Sequence, residues 1–172
     1  MLVACSPAPV LNPNKPAKRA AKTEVDLTLS VAPETVVQTR DGSRFDLGNL
    51  WARQKVVVVF YQGGWCPHCA KQLATLQSHS KDFTDAKAVV VGISNESGAD
   101  ATALRDKLSL TFELYSDPDL TAITTWGVED FGAGSARPAT FVIEPGGTIS
   151  YRRVGDKSGN HPSVDELLDA LR

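Results

Sequence analysis

Residues 56–69 read Val56-Val57-Val58-Val59-Phe60-Tyr61-Gln62-Gly63-Gly64-Trp65-Cys66-Pro67-His68-Cys69. The first six are apolar and mostly β-branched, as expected of a strand buried on both faces. Gly63-Gly64 ends the run. Pro67 suits the first position of a helix, where its missing N–H has no partner to lose. Cys69, Leu73 and Leu76 then recur at spacings of four and three, giving one apolar stripe. A buried strand that runs through a glycine loop into an amphipathic helix begins a β-α-β unit.

The pattern continues on both sides. Toward the C-terminus, residues 88–93 form a second buried run, and 98–108 read as a helix carrying Leu104 and Leu108. Residues 111–115 read as a short strand and 119–126 as a short helix. Residues 140–144 and 148–154 flank Pro145-Gly146-Gly147 and predict a hairpin. Ser163 and Glu166 have capping-box spacing ahead of Val164, Leu167, Leu168 and Leu171, so a helix closes the chain. Toward the N-terminus, residues 35–39 and 44–47 flank Asp41-Gly42, a hairpin signal. The order predicts an α/β domain. Its central sheet is expected to be mostly parallel, covered by helices on both faces, with an N-terminal β-hairpin. In such sheets ligand chemistry gathers beyond the carboxyl ends of the strands, and Cys66 lies just past one of them.

The chain has 172 residues, 42% hydrophobic, with a formal net charge of −2. That suits a globular protein with a real core and gives no footprint for nucleic acid. The longest apolar run, 56–61, is far too short to span a bilayer. Three cysteines cannot form a disulfide framework. Residues 1–30 differ from the rest. Pro7, Pro9, Pro13 and Pro16 break regular structure, and Lys15, Lys18, Arg19 and Lys22 keep the stretch solvated, so a flexible tether is expected before a domain spanning 31–172.

Cys66 and Cys69 stand three residues apart across the predicted helix start. They share one face and can close a disulfide. Backbone N–H groups converge on Cys66 and the helix dipole favours an anion there, which makes Cys66 the candidate nucleophile. Cys69, one turn inside on the buried stripe, is the candidate resolving thiol. A protonated His68 would further favour a thiolate at Cys66. Three simpler readings compete. A disulfide staple across so short a loop would contribute only about 2 kcal/mol. A pair of inert buried thiols fits poorly, because Cys66 follows a loop. Zinc needs four ligands, and no second cysteine pair or paired histidines are present. Two thiols suffice for exchange chemistry, so neither cofactor nor metal is expected.

The 56–69 stretch, with Gln72-Leu73 and Leu76, resembles the redoxin branch of the thioredoxin superfamily. That branch holds peroxiredoxin-like (thiol-specific antioxidant) proteins and tethered thiol–disulfide oxidoreductases. Arg137-Pro138-Ala139-Thr140-Phe141-Val142-Ile143-Glu144-Pro145-Gly146-Gly147 resembles the second signature of the family. The resemblance covers about residues 33–172 and implies a thioredoxin-like fold with a central mixed sheet. It also implies that Pro138 is a cis-proline facing a Cys66–Cys69 disulfide. Trp65 is expected beside that disulfide, and Glu96, past the second buried strand, is a weaker candidate for relaying a proton to Cys69. His79 and His161 read as surface or local structural residues.

This chain departs from the peroxiredoxin pattern Pro-x-x-x-Thr-x-x-Cys. Aligned on Cys69, Gln62 takes the proline position, Cys66 the threonine position, and Pro138 that of a later arginine, with Arg137 one residue before. The leading expectation is therefore a thiol–disulfide oxidoreductase acting on protein or small-molecule thiols and disulfides. The alternative is a thiol peroxidase, with Cys69 the matched peroxidatic residue and Arg137 its helper. A third reading is a copper carrier on the same fold, with His161 as third ligand. Leu2-Val3-Ala4-Cys5 resembles a bacterial lipobox, which implies a lipidated Cys5, a membrane tether and a periplasm-facing location, with the cytoplasm as the alternative.

Overall fold

The computed structural model describes residues 30–155 and 160–172. Cys5 and almost all of the expected tether lie outside the described residues. Among those described, no helix is long and apolar enough to cross a membrane.

The elements are β1 (Val36–Gln38), β2 (Arg44–Asp46), α1 (Gly48–Trp51), β3 (Lys55–Phe60), α2 (Pro67–Ser78), α3 (Ser80–Asp85), β4 (Ala88–Ser94) and α4 (Gly98–Lys107). They continue with β5 (Glu113–Ser116), α5 (Thr121–Thr125), β6 (Glu129–Asp130), β7 (Ser135–Ala136), β8 (Ala139–Ile143), β9 (Ile149–Val154) and α6 (Val164–Ala170). The main sheet runs β2-β1-β5-β4-β3-β8-β9, and β6-β7 form a small separate ribbon.

The sheet is mixed, as the resemblance implies, rather than mostly parallel as the order of elements alone predicts. Only β3-β4 and β4-β5 pair in parallel; β1-β2, β1-β5, β3-β8 and β8-β9 are antiparallel. The physical reason is connection length. Parallel neighbours need a long crossover, which α2–α3 and α4 supply, whereas the turns at 39–43 and 144–148 can join only antiparallel strands. The first of these turns bears out the Asp41-Gly42 signal. Gly42 adopts φ +82°, and the Asp41 carboxylate accepts from Ser43 N at 3.1 Å. Near the start of the described chain, Ser30 O accepts from Ile149 N and Ala32 N donates to Gly147 O. These bonds attach residues 30–32 to the head of β9.

Alternate residues of β3 feed two cores, as the two-residue period of a strand requires. Val56, Val58 and Phe60 join Trp51, Ile123, Trp126 and Phe141 on one face. Val57, Val59 and Tyr61 join Cys69, Leu73, Leu76, Phe83, Leu104 and Leu167 on the other. Helices α2, α3, α4 and α6 cover the second face, while α1 and α5 cover the first. The closing helix has the expected cap: Ser163 Oγ accepts from Glu166 N at 3.2 Å and Glu166 accepts from Ser163 N at 2.8 Å. Gly92 on β4 pairs with Val59. A Cβ there would stand 2.4 Å from Leu114 Cδ2 and 3.2 Å from Tyr61 Cε1. The missing side chain is thus what admits the Tyr61 ring beneath the site.

Candidate active site

Strand β3 delivers the chain to the carboxyl edge of the sheet. Tyr61 N still bonds Ile93 O at 3.0 Å, and then the loop 62–65 turns away. Gly63 adopts φ +156°. A Cβ there would lie 2.5 Å from Trp65 Nε1 and 2.9 Å from Glu96 Oε1, so no larger residue fits. Gly63 O accepts from Cys66 N at 3.1 Å and closes the turn.

Cys66 is the N-cap of α2, with extended φ −86° and ψ 110°, and Pro67 is the first helical residue. The Cys66 sulfur accepts from Cys69 N at 3.4 Å, satisfying one of the helix's free donors. Both cysteines are free thiols, and the Cys69 thiol is in hydrogen-bond contact with the Cys66 sulfur. Burial pushes the Cys69 thiol up to about 12, and the Cys66 sulfur adds to the rise. The backbone N–H groups of Gln62 and Gly63 act in the opposite sense. Cys69 therefore holds its proton at neutral pH. Exposure differs from the loop expectation: Cys66 is only 6% exposed and Cys69 fully buried. The cap geometry folds the Cys66 side chain back over the first turn of α2 and so covers it.

The other sequence candidates divide. Glu96 is brought to the site, but as a clamp. Its two carboxylate oxygens accept from Gly64 N at 2.8 and 2.9 Å, and no described bond links it to Cys69. Half-burial raises the Glu96 carboxyl above the usual range, opposed by the bonds from Gly64. Trp65 is 67% exposed and lies over Gly63 and Glu96 toward α4. His68 is exposed and lines a groove with His161, which is half-buried, the local structural placement rather than the surface one. His79 is a local residue, paired with Asp82 at 2.9 Å. Arg137 is tied to the segment after α5: its N donates to Val128 O at 2.6 Å and its guanidinium to Gly127 O at 3.0 Å.

Pro138 is buried, but its peptide bond is trans, which corrects the expected cis-proline. It stands directly before β8, where a strand tolerates a residue without an N–H, and an extended trans bond carries β7 into β8. Its carbonyl accepts from Gly155 N at 2.6 Å.

Gln72 is a motif residue to which the sequence assigns no role. It is buried, and its Nε2 donates to Thr140 Oγ1 at 3.2 Å, tying α2 to β8. The available signal was a polar residue on the buried stripe of α2, three residues past Cys69. Among the described residues, no three His, Cys, Asp or Glu side chains converge in a way that could hold a metal ion, so the copper-carrier reading finds no ligand set there.

Residues 29–152 match the AhpC/TSA family. A Mycobacterium tuberculosis protein that carries the provisional name peroxiredoxin is 34% identical over 137 residues, covering 76% of this chain and 86% of the relative. Chloroplastic peroxiredoxin Q of Sedum lineare is 31% identical over 145 residues, covering 83% of this chain and 76% of the relative. Among solved structures, reduced Prx3 of Vibrio vulnificus in complex with hydrogen peroxide superposes with a TM-score of 0.75 at 15% identity, covering 83% of this chain and 96% of that one. The chain belongs to the AhpC/TSA family and is a peroxiredoxin-like redoxin with the thioredoxin fold.

Proposed function

We propose that the chain is a thiol-dependent peroxidase in which Cys66 meets the peroxide and Cys69 resolves the product. The observation that carries this reading is the cysteine pair itself. One sulfur is barely exposed at a helix start, and a protonated thiol touches it from behind. Such an opening suits a small peroxide better than a folded protein's disulfide. The names of the chain's relatives point the same way.

In the first step the Cys66 thiolate attacks the terminal oxygen of ROOH. The O–O bond breaks, Cys66 becomes a sulfenic acid, and RO⁻ takes the proton held by Cys69 to leave as ROH. The Cys69 thiolate so formed attacks the Cys66 sulfur and expels hydroxide, which solvent protonates to water. The Cys66–Cys69 disulfide results, and two equivalents of an external thiol reduce it. Peroxide consumption with dithiothreitol tests the reading. A rate at least about 100-fold above that of free cysteine is expected; a rate no better than free cysteine overturns it.

The Cys-Pro-His-Cys spacing, with its thiols in contact, supports a second reading, disulfide exchange with protein substrates. Insulin reduction faster than peroxide turnover would favour it.

In either cycle Glu96 is a positioning residue. Its clamp on Gly64 holds the loop that places Cys66. Glu96→Ala removes a charge-assisted bond and is expected to lower kcat about 10-fold, with little change in KM for peroxide. Glu96→Gln, which keeps an oxygen for Gly64 N, is expected to recover much of the loss. Wild-type kcat in Glu96→Ala would remove the clamp from the mechanism.

A further inference from the structure

A groove of about 260 Å³ runs beside the first turns of α2, lined by His68, Lys71, Gln72, Thr75, His161 and Ser163 among others. Among the described residues no carboxylate lines it. Among the described residues Lys71 has no ion-pair partner. Glu166, the capping partner of Ser163, is engaged by Arg153 and by Ser163 N. Two polar atoms at this groove are buried without a hydrogen-bond partner, Gln72 Oε1 and His161 Nε2. Gln72 itself is 7% exposed. An unmet buried polar atom costs about 1–3 kcal/mol, so two at one groove are a sign that something else meets them. Burial, reinforced by His68, holds His161 below the ordinary imidazole range, so its ring is neutral and can offer an N–H. The Lys71 ammonium, an N–H of the neutral His161 ring and the Ser163 hydroxyl form a set of donors that suits a carboxylate, while Gln72 Oε1, an acceptor, suits an N–H of the same ligand.

We propose that this groove binds the carboxylate end of a low-molecular-weight thiol, the reductant that reopens the Cys66–Cys69 disulfide. The proposal rests on the peroxidase reading above. The small opening at Cys66 limits the size of the reductant, and the groove selects its charge. Lys71 lies five residues beyond Cys66 on α2, a rise of about 7.5 Å with a turn of about 140° around the helix axis, which puts the two Cα atoms about 9 Å apart. An extended tripeptide spans about 10 Å, so one molecule reaches both. Its thiolate attacks the Cys66 sulfur, the S–S bond breaks, and Cys69 leaves and takes a proton. A second thiol attacks the mixed disulfide, releases Cys66 as thiolate and departs as the oxidised dimer of the small thiol.

The test compares glutathione with its diethyl ester, the same thiol without carboxylate charge, as reductants of the full chain in peroxide turnover. The expected kcat/KM is about fivefold higher for glutathione. In Lys71→Glu and in His161→Gln the ratio is expected to fall toward one. Because each ratio is internal to one variant, partial loss of folding does not mimic the effect. Equal values in the parent chain, or a ratio that survives both substitutions, overturn the proposal. Failure of the peroxidase reading shows separately, as no turnover with dithiothreitol. The groove is then read by titrating S-methylglutathione, which cannot react: ring signals of His68 and His161 that shift support the site, and signals that stay put overturn it.

Discussion

Cys66→Ser is expected to lower dithiothreitol-coupled peroxide consumption by about 10³-fold or more, because it removes the sulfur that forms the new S–O bond. Cys69→Ser should behave differently. Its Cys66 can still be oxidised, but nothing inside the protein condenses with the sulfenic acid, which then accumulates and is trapped by a sulfenate-specific reagent at Cys66. Steady-state turnover in that variant should fall only about 10-fold, since dithiothreitol reduces a sulfenic acid directly. The two variants also decide the order of events. Alignment with the peroxiredoxin pattern points to Cys69 as first nucleophile, whereas burial, and the proton it keeps on Cys69, point to Cys66. A Cys66→Ser protein that forms a sulfenic acid on Cys69 at the parental rate would reverse the assignment.

The largest effect on stability is expected far from the sulfurs. Trp126 is fully buried, with ring centroids 4.7 Å from Phe141, 5.5 Å from Phe60 and 6.3 Å from Trp51. Its Nε1 donates to Thr35 Oγ1 at 2.9 Å. Trp126→Ala removes the centre of this cluster and leaves a cavity, at a cost of about 4 kcal/mol. For a domain whose whole stability is of order 5–15 kcal/mol, that is a large fraction. Trp126→Phe keeps an aromatic ring but loses the indole donor, and should cost about half as much. Urea denaturation of both variants measures the difference. A loss below about 1 kcal/mol in Trp126→Ala would show that the cluster does not anchor this face.

Elements with strong local signals were legible from the sequence. The apolar run 56–61 and the Cys-Pro step into a helix are short-range features; β3 begins one residue before that run and α2 begins at Pro67 as indicated. The Ser163–Glu166 box is equally local and is present. Elements too short to carry a period escaped: α1, α3 and the two-residue strands β6 and β7, which exist because of what they pack against. The site shows the same division. Cys66 and Cys69 are neighbours in sequence and so were visible as a pair. Glu96 reaches Gly64 across 32 positions, a contact that only the β3-β4 pairing creates. The same holds for Gln72 and Thr140, 68 positions apart. The trans bond at Pro138 was hidden because a proline ahead of a strand has the same letters in either isomer. Exposure of Cys66 was misjudged because a glycine loop precedes it, while the cap folds its side chain inward.

The alternation of β3 between two cores has a consequence for how the molecule opens. The strand that carries the chain to the cysteines also supplies Val58 and Phe60 to the aromatic face. Neither layer can therefore melt while the other stays assembled. Amide protons of residues 56–60 should exchange with solvent only when the whole domain opens, at one common rate set by global unfolding. Weakening the tryptophan cluster would then quicken exchange beneath the sulfurs as much as around the indole.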